Sequence, residues 1–97
     1  MNEFDHNDTS YLHWLQDYPE GYVLNVRRKR PSSGYVVLHR STCAAISNPK
    51  QNHGAFTERG YRKICAETVD ELRVAALAEG RLDGSFTKEC SVCLRRN

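Results

Sequence analysis

The residues of this chain most able to do chemistry are four cysteines, Cys43, Cys65, Cys90 and Cys93, spaced C-x21-C-x24-C-x2-C. The last pair, Cys90-Ser-Val-Cys93, has the two-residue separation of a zinc knuckle. A tight turn there aims two thiolates at one ion about 2.3 Å away. Four thiolates from three separated segments predict a closed tetrahedral site, the structural type of zinc. His39 precedes Cys43 by four residues, so a mixed site, with its imidazole replacing Cys43 or Cys65, is the alternative. Against these stand two plainer readings. A lone Cys43 or Cys65 is a small buried hydrophobe, and C-x2-C is also a redox motif, although here it lies outside any strand-to-helix junction of a βαβ unit. His53 falls in a long loop, and His6 and His13 carry no signal.

A second group is electrostatic. The formal net charge is +2, yet residues 1–20 hold five acids and no Lys or Arg. Between residues 27 and 63, nine cations including Lys50 and Arg59 face Glu58 alone. Such a segment is a candidate footprint for a polyanion, with an ordinary solvated surface as the alternative. Arg27, Arg28, Lys29, Arg30 and Arg40 are expected to form a phosphate-contacting patch, extended by Arg62 and Lys63. Tyr22, Tyr35, Phe56 and Tyr61 lie near these charges and would stack on bases if exposed; for Tyr22 and Tyr35 core packing is the expected role.

The elements that must position these side chains follow from periodicity and breakers. Thr9 or Asp8 caps a helix over 9–18, with Tyr11, Leu12, Leu15 and Tyr18 on one face and Trp14 beside it. Pro19 ends it and Gly21 opens a turn. Tyr22–Arg27 and Tyr35–His39 read as strands joined by the turn 28–34, a basic-tipped hairpin. Ser41–Ile46 predicts a short helix, 47–60 a surface loop, and Tyr61–Cys65 a third strand. Thr68-Val-Asp-Glu71 matches a capping box, starting a helix that runs to about Glu79 with Val69, Leu72, Ala76 and Leu77 inward and Gly80 as its stop. The expected fold is a small single-domain α+β structure over 9–97, with 1–8 a flexible acidic N-terminus. If the second and third strands are neighbours, Cys43 and Cys65 meet at one corner of the sheet and the terminal knuckle closes it.

Other function classes find little support. At 97 residues and 39% hydrophobic composition the chain sustains one modest core, to which a structural ion would add stability. No apolar run approaches the roughly 18 residues of a membrane span, and the start MNEFDHNDTS lacks a secretory pattern. A cytoplasmic setting with reduced cysteines is therefore expected. There is no P-loop, dinucleotide fingerprint or H-E-x-x-H motif. His39 with Cys43 is the one compact nucleophile–base pair, and an open catalytic zinc would need a base such as Glu58 or Glu67. No catalytic residue and no small-molecule substrate is expected.

The segments Tyr11-Leu-x-Trp-Leu15, Pro19-x-Gly-Tyr-Val-Leu-Asn25, Leu38-His-Arg-x-x-Cys43, Tyr61-x-Lys-x-Cys65 and Cys90-x-x-Cys93 together resemble a small bacterial cysteine-rich domain of uncharacterised function, associated with restriction-type and other nuclease-linked proteins. The resemblance spans about residues 11–93. It implies a metal-stabilised accessory module near DNA metabolism or defence and transfers no catalytic residue. The expected function is a non-catalytic, zinc-stabilised nucleic-acid-binding module, for DNA or RNA. A protein-interaction adaptor on the same scaffold is the alternative, and a small redox or hydrolytic enzyme the third reading.

Overall fold

Strand β2, Tyr22–Arg27, is the spine of the sheet. Its alternation sends Val23 and Asn25 to one face and Leu24 and Val26 to the other, and all three apolar side chains are buried. A strand buried on both faces needs cover on both sides, and the chain supplies it with two helices. The computed structural model describes residues 1–48 and 54–94; Lys50, His53 and the basic tail residues Arg95 and Arg96 lie outside them. Five strands stand side by side in the order β1 (Asn2–Phe4), β4 (Tyr61–Ala66), β2, β3 (Val36–Arg40) and β5 (Lys88–Glu89). All neighbours are antiparallel except β3 and β5.

Helix α1 (Asp8–Asp17) covers one face, where Tyr11, Trp14 and Leu15 pack with Val23, Cys65 and Phe56. Helix α2 (Val69–Ala78) covers the other, where Leu72, Ala75 and Ala76 pack on Leu24, Val26, Val36, Leu38 and Ile64. The result is a compact single α+β domain, and no helix among the described residues is long and apolar enough to cross a membrane.

Local chemistry explains most element ends. Thr68 and Glu71 form the full capping box at the start of α2, and Gly80, at φ +96°, takes the left-handed conformation that stops it. Gly21 is required by closeness: a Cβ there would lie 2.7 Å from Trp14 Cη2. At α1 the cap is Asn7, whose side chain accepts from Ser10 N–H, and not Thr9 or Asp8. Asp8 is buried and accepts from the backbone N–H groups of Phe56 and Thr57 and from the Thr57 hydroxyl. Tyr18 leaves the expected inward face and stacks on Trp14, ring centroids 4.8 Å apart. In α2, Ala75 holds the inward position and Leu77 faces outward. Ser41–Ile46 shortens to one 3-10 turn, Ala44–Ile46.

Residues 1–8, expected as a flexible lead-in outside the domain, instead contribute β1, with Asn2 opposite Cys65 and Phe4 opposite Lys63. Two acids of this segment, Glu3 and Asp5, are counter-ions. The Glu3 carboxylate accepts from Arg30 and Arg62, and Asp5 pairs with Arg28 at 3.3 Å.

Candidate metal centre

The end of β3 and the segment after β5 meet at one corner. His39, opposite Val23, projects to the α1 face. The chain then turns, Cys43 N–H donating to the Arg40 carbonyl at 3.0 Å, and Cys43 sits at the cap of the 3-10 turn. Because β5 runs parallel to β3, it carries the chain toward the same corner. Cys90 N–H donates to the Leu38 carbonyl and Leu94 N–H to the Cys90 carbonyl, each at 2.9 Å, which closes the knuckle. Arg40 then holds the knuckle in place: its backbone N–H donates to Cys93 Sγ at 3.3 Å and its Nε to the Cys93 carbonyl at 3.0 Å.

One donor atom from each of His39, Cys43, Cys90 and Cys93 lies within 4.8 Å of every other, close enough to hold a metal ion. Cys43 Sγ and Cys90 Sγ are 3.9 Å apart. Two sulfurs bound at 2.3 Å to one tetrahedral ion stand about 3.8 Å apart, whereas a disulfide requires about 2.05 Å. His39, Cys43 and Cys90 are buried and Cys93 is half-buried.

The electrostatics fit a cation as well. Burial pushes the Cys43 thiol up to about 12. Burial, with Lys63 and Lys88 nearby, drives His39 down to about 4 and keeps it neutral. For Cys90 burial works against the thiolate. The N–H groups of Cys93 and Val92 and the neighbouring Cys93 and Cys43 side chains outweigh it, so its pKa falls below the ordinary thiol value. His39 Nδ1 is buried without a hydrogen-bond partner among the described residues. A buried polar nitrogen left unengaged is costly, and a cation held by this imidazole and the three sulfurs would favour the ionised form of those sulfurs.

Cys65 does not belong to this cluster. Strand β4 pairs with β2 and not with β3, so Cys65, Val23 and His39 form one row across three strands. Two inter-strand steps separate Cys65 from His39, about 9.6 Å, twice the 4.8 Å within which the four donor atoms lie. Cys65 is fully buried in the α1 core, and burial raises its thiol to about 12. The set that assembles is the mixed one, with His39 in the place expected for Cys65. The signal was His-x3-Cys followed by Cys-x2-Cys.

The expected cationic patch is dismantled in the same way. Arg62 is fully buried, its guanidinium donating to both Glu79 carboxylate oxygens at 2.8 and 2.9 Å, to Glu3 at 3.0 Å and to the Arg27 carbonyl. Lys63 is buried as well, donating to the Phe56 carbonyl and Asn25 Oδ1, and burial lowers its pKa to about 8. Neither extends a surface. Arg30 is bound bidentately by Glu3, and Arg28 by Asp5 and the Thr57 carbonyl. Arg27, Lys29 and Arg40 are exposed, with Arg40 lying over the Tyr22 ring.

Compared with protein-family models, curated proteins and solved structures, the chain finds no match. The fold and the donor cluster define it as a small α+β domain with a corner able to hold a metal.

Proposed function

We propose that this chain is a non-catalytic zinc domain that binds nucleic acid. The observation that supports it best is the convergence of His39, Cys43, Cys90 and Cys93 within 4.8 Å. Three thiolates and one imidazole are a donor set that suits zinc. Four protein ligands complete a tetrahedral ion and leave no position for water or substrate, which favours a structural role over catalysis. Zinc would supply attachment: it would join the end of β3, the turn after it and the segment carrying Cys90 and Cys93. Free thiols suit a reducing compartment such as the cytoplasm.

For nucleic acid, the support is the exposed set Arg27, Lys29 and Arg40, which remains after the paired cations are set aside. The resemblance to nuclease-linked bacterial domains points the same way. Elemental analysis and native mass spectrometry should find one zinc per chain. Binding to DNA or RNA should weaken with salt at a logarithmic slope of about 2–3, near one unit per phosphate contact. A fully folded metal-free chain would overturn the first half, and absence of binding at low salt the second. One observation favours a protein partner instead: Val74 and Leu77 on the outer face of α2, and Leu82 just beyond it, are 59%, 51% and 99% exposed. A partner bound there would hold with little salt dependence.

A further inference from the structure

The α1 face of the sheet is crossed by three rows of residues. Two are His39–Val23–Cys65 and Val37–Asn25–Lys63. The third is built from Arg27, its partner Tyr61 on β4, and Tyr35, the residue before β3. Helix α1 and Phe56 cover the first two rows, where Val23, Cys65, Val37 and Lys63 are buried. The third emerges: Tyr35 and Tyr61 are half-buried and Arg27 is exposed. Neither ring belongs to either core cluster, in contrast to Phe56, which is core, and Tyr22, which packs against the α2 side. The two rings meet across β2 with centroids 5.5 Å apart. Arg27 lies 5.0 Å from the Tyr35 centroid, and Lys63 Nζ lies 5.7 Å from that of Tyr61. No carboxylate forms a salt bridge with Arg27 or with exposed Lys29 among the described residues.

We propose that this row is a stacking platform for single-stranded nucleic acid, successive bases stacking on Tyr35 and on Tyr61, whose planes differ by 47°, while adjacent phosphates reach Arg27 and Lys29. It rests on the nucleic-acid reading and narrows it. A ring can stack only on a base whose face is free, and in a duplex both faces are taken by neighbouring pairs. Charge alone would serve duplex and single strand alike. Two half-buried rings outside both core clusters, beside cations without a carboxylate partner among the described residues, select the strand with open bases.

The test uses the zinc-loaded full chain with short oligo-dT, oligo-U and a duplex of equal length across a salt series. The single strands should bind more tightly than the duplex, and the two arms tell DNA from RNA. Tyr35→Ala and Tyr61→Ala should each weaken single-strand binding by about 5- to 150-fold, the effect of one stacked base, with the salt slope unchanged because the rings are neutral. Tyr35→Phe and Tyr61→Phe keep the ring and should bind as the parent does, while Arg27→Ala should lower the slope by about one. Melting and zinc content check that each variant is folded. If duplex binds as well as single strand and the Ala variants match the parent, the platform is wrong and the nucleic-acid reading survives. Phe variants as weak as the Ala variants would also reject stacking. If the parent binds none of the three at low salt, the nucleic-acid reading itself has failed.

Discussion

Strands β1 and β5 lie on opposite edges of the sheet, and each is too short to hold itself by ladder hydrogen bonds alone: three residue pairs join β1 to β4, and two join β5 to β3. The chain fastens them by different chemistry. β1 is held by charge, with the Glu3 carboxylate between Arg30 and Arg62, and Arg62 anchored in turn by buried Glu79. β5 is followed by a donor cluster, with Cys90 and Cys93 brought against His39 and Cys43. The first fastening is complete within the polypeptide. The second is made by a few hydrogen bonds, Cys90 N–H to the Leu38 carbonyl and Arg40 to Cys93, and a bound ion would add a cross-link that the first edge does not need.

The largest effect should come from breaking the metal edge. Chelation, or Cys90→Ser, removes the cross-link that a bound ion would make between the end of β3 and the segment after β5. Amide exchange at Cys90 and Leu94 should accelerate far more than exchange within β1, and protection retained at both sites after zinc removal would refute the contrast. His39→Ala should lose the metal, while His39→Cys should keep it.

On the charged edge, Arg62→Met leaves the Glu79 carboxylate buried and unpaired, at a cost of about 3–5 kcal/mol in denaturant unfolding. Adding Glu79→Leu should recover most of that loss, because an apolar pair needs no counter-ion. The pH dependence has a definite sign. Hydrogen bonding to Arg62 holds Glu79 below the ordinary carboxylate value of 4.5. Its stabilising contribution is therefore complete above about pH 4.5 and is lost as pH falls through the folded-state value. In Glu79→Gln that part of the acid limb should vanish.

Two smaller changes sharpen the comparison. Cys65→Ala should retain one zinc per chain and cost about 1 kcal/mol, the loss of one buried sulfur; loss of zinc there would return Cys65 to the ligand set. Glu3→Gln removes a partly exposed anion and should cost only about 0.2–1 kcal/mol, decreasing in high salt.

What the sequence made legible was local. The capping box Thr68–Glu71, the strand Tyr22–Arg27 and the terminal Cys90-x-x-Cys93 turn are written in neighbouring residues. The exclusion of Cys65 was not, because nothing in Tyr61–Ala66 states whether its neighbour is β2 or β3, and that choice puts Cys65 two strand spacings from the strand of His39 instead of one. Nor could Asn2-Glu-Phe4 announce a strand, since three residues carry no periodicity. The basic run misled for a related reason. Arg62 and Lys63 lie in a strand covered on both faces, and the carboxylate that answers Arg62 from the C-cap of α2, Glu79, lies 17 residues away.

The brevity of β5 has a consequence for solubility. Between them, Thr87, the two residues of β5 and Cys90 occupy the outer backbone groups of β3 from Val36 to Leu38. If the segment swings away, Val36-Val-Leu38 becomes an apolar edge with unpaired N–H and C=O groups, which is the usual template for intermolecular strand addition. Metal starvation would then expose a sticky sheet margin before the rest of the fold has melted, and chelated protein should form concentration-dependent assemblies that zinc reverses while the strands are still folded.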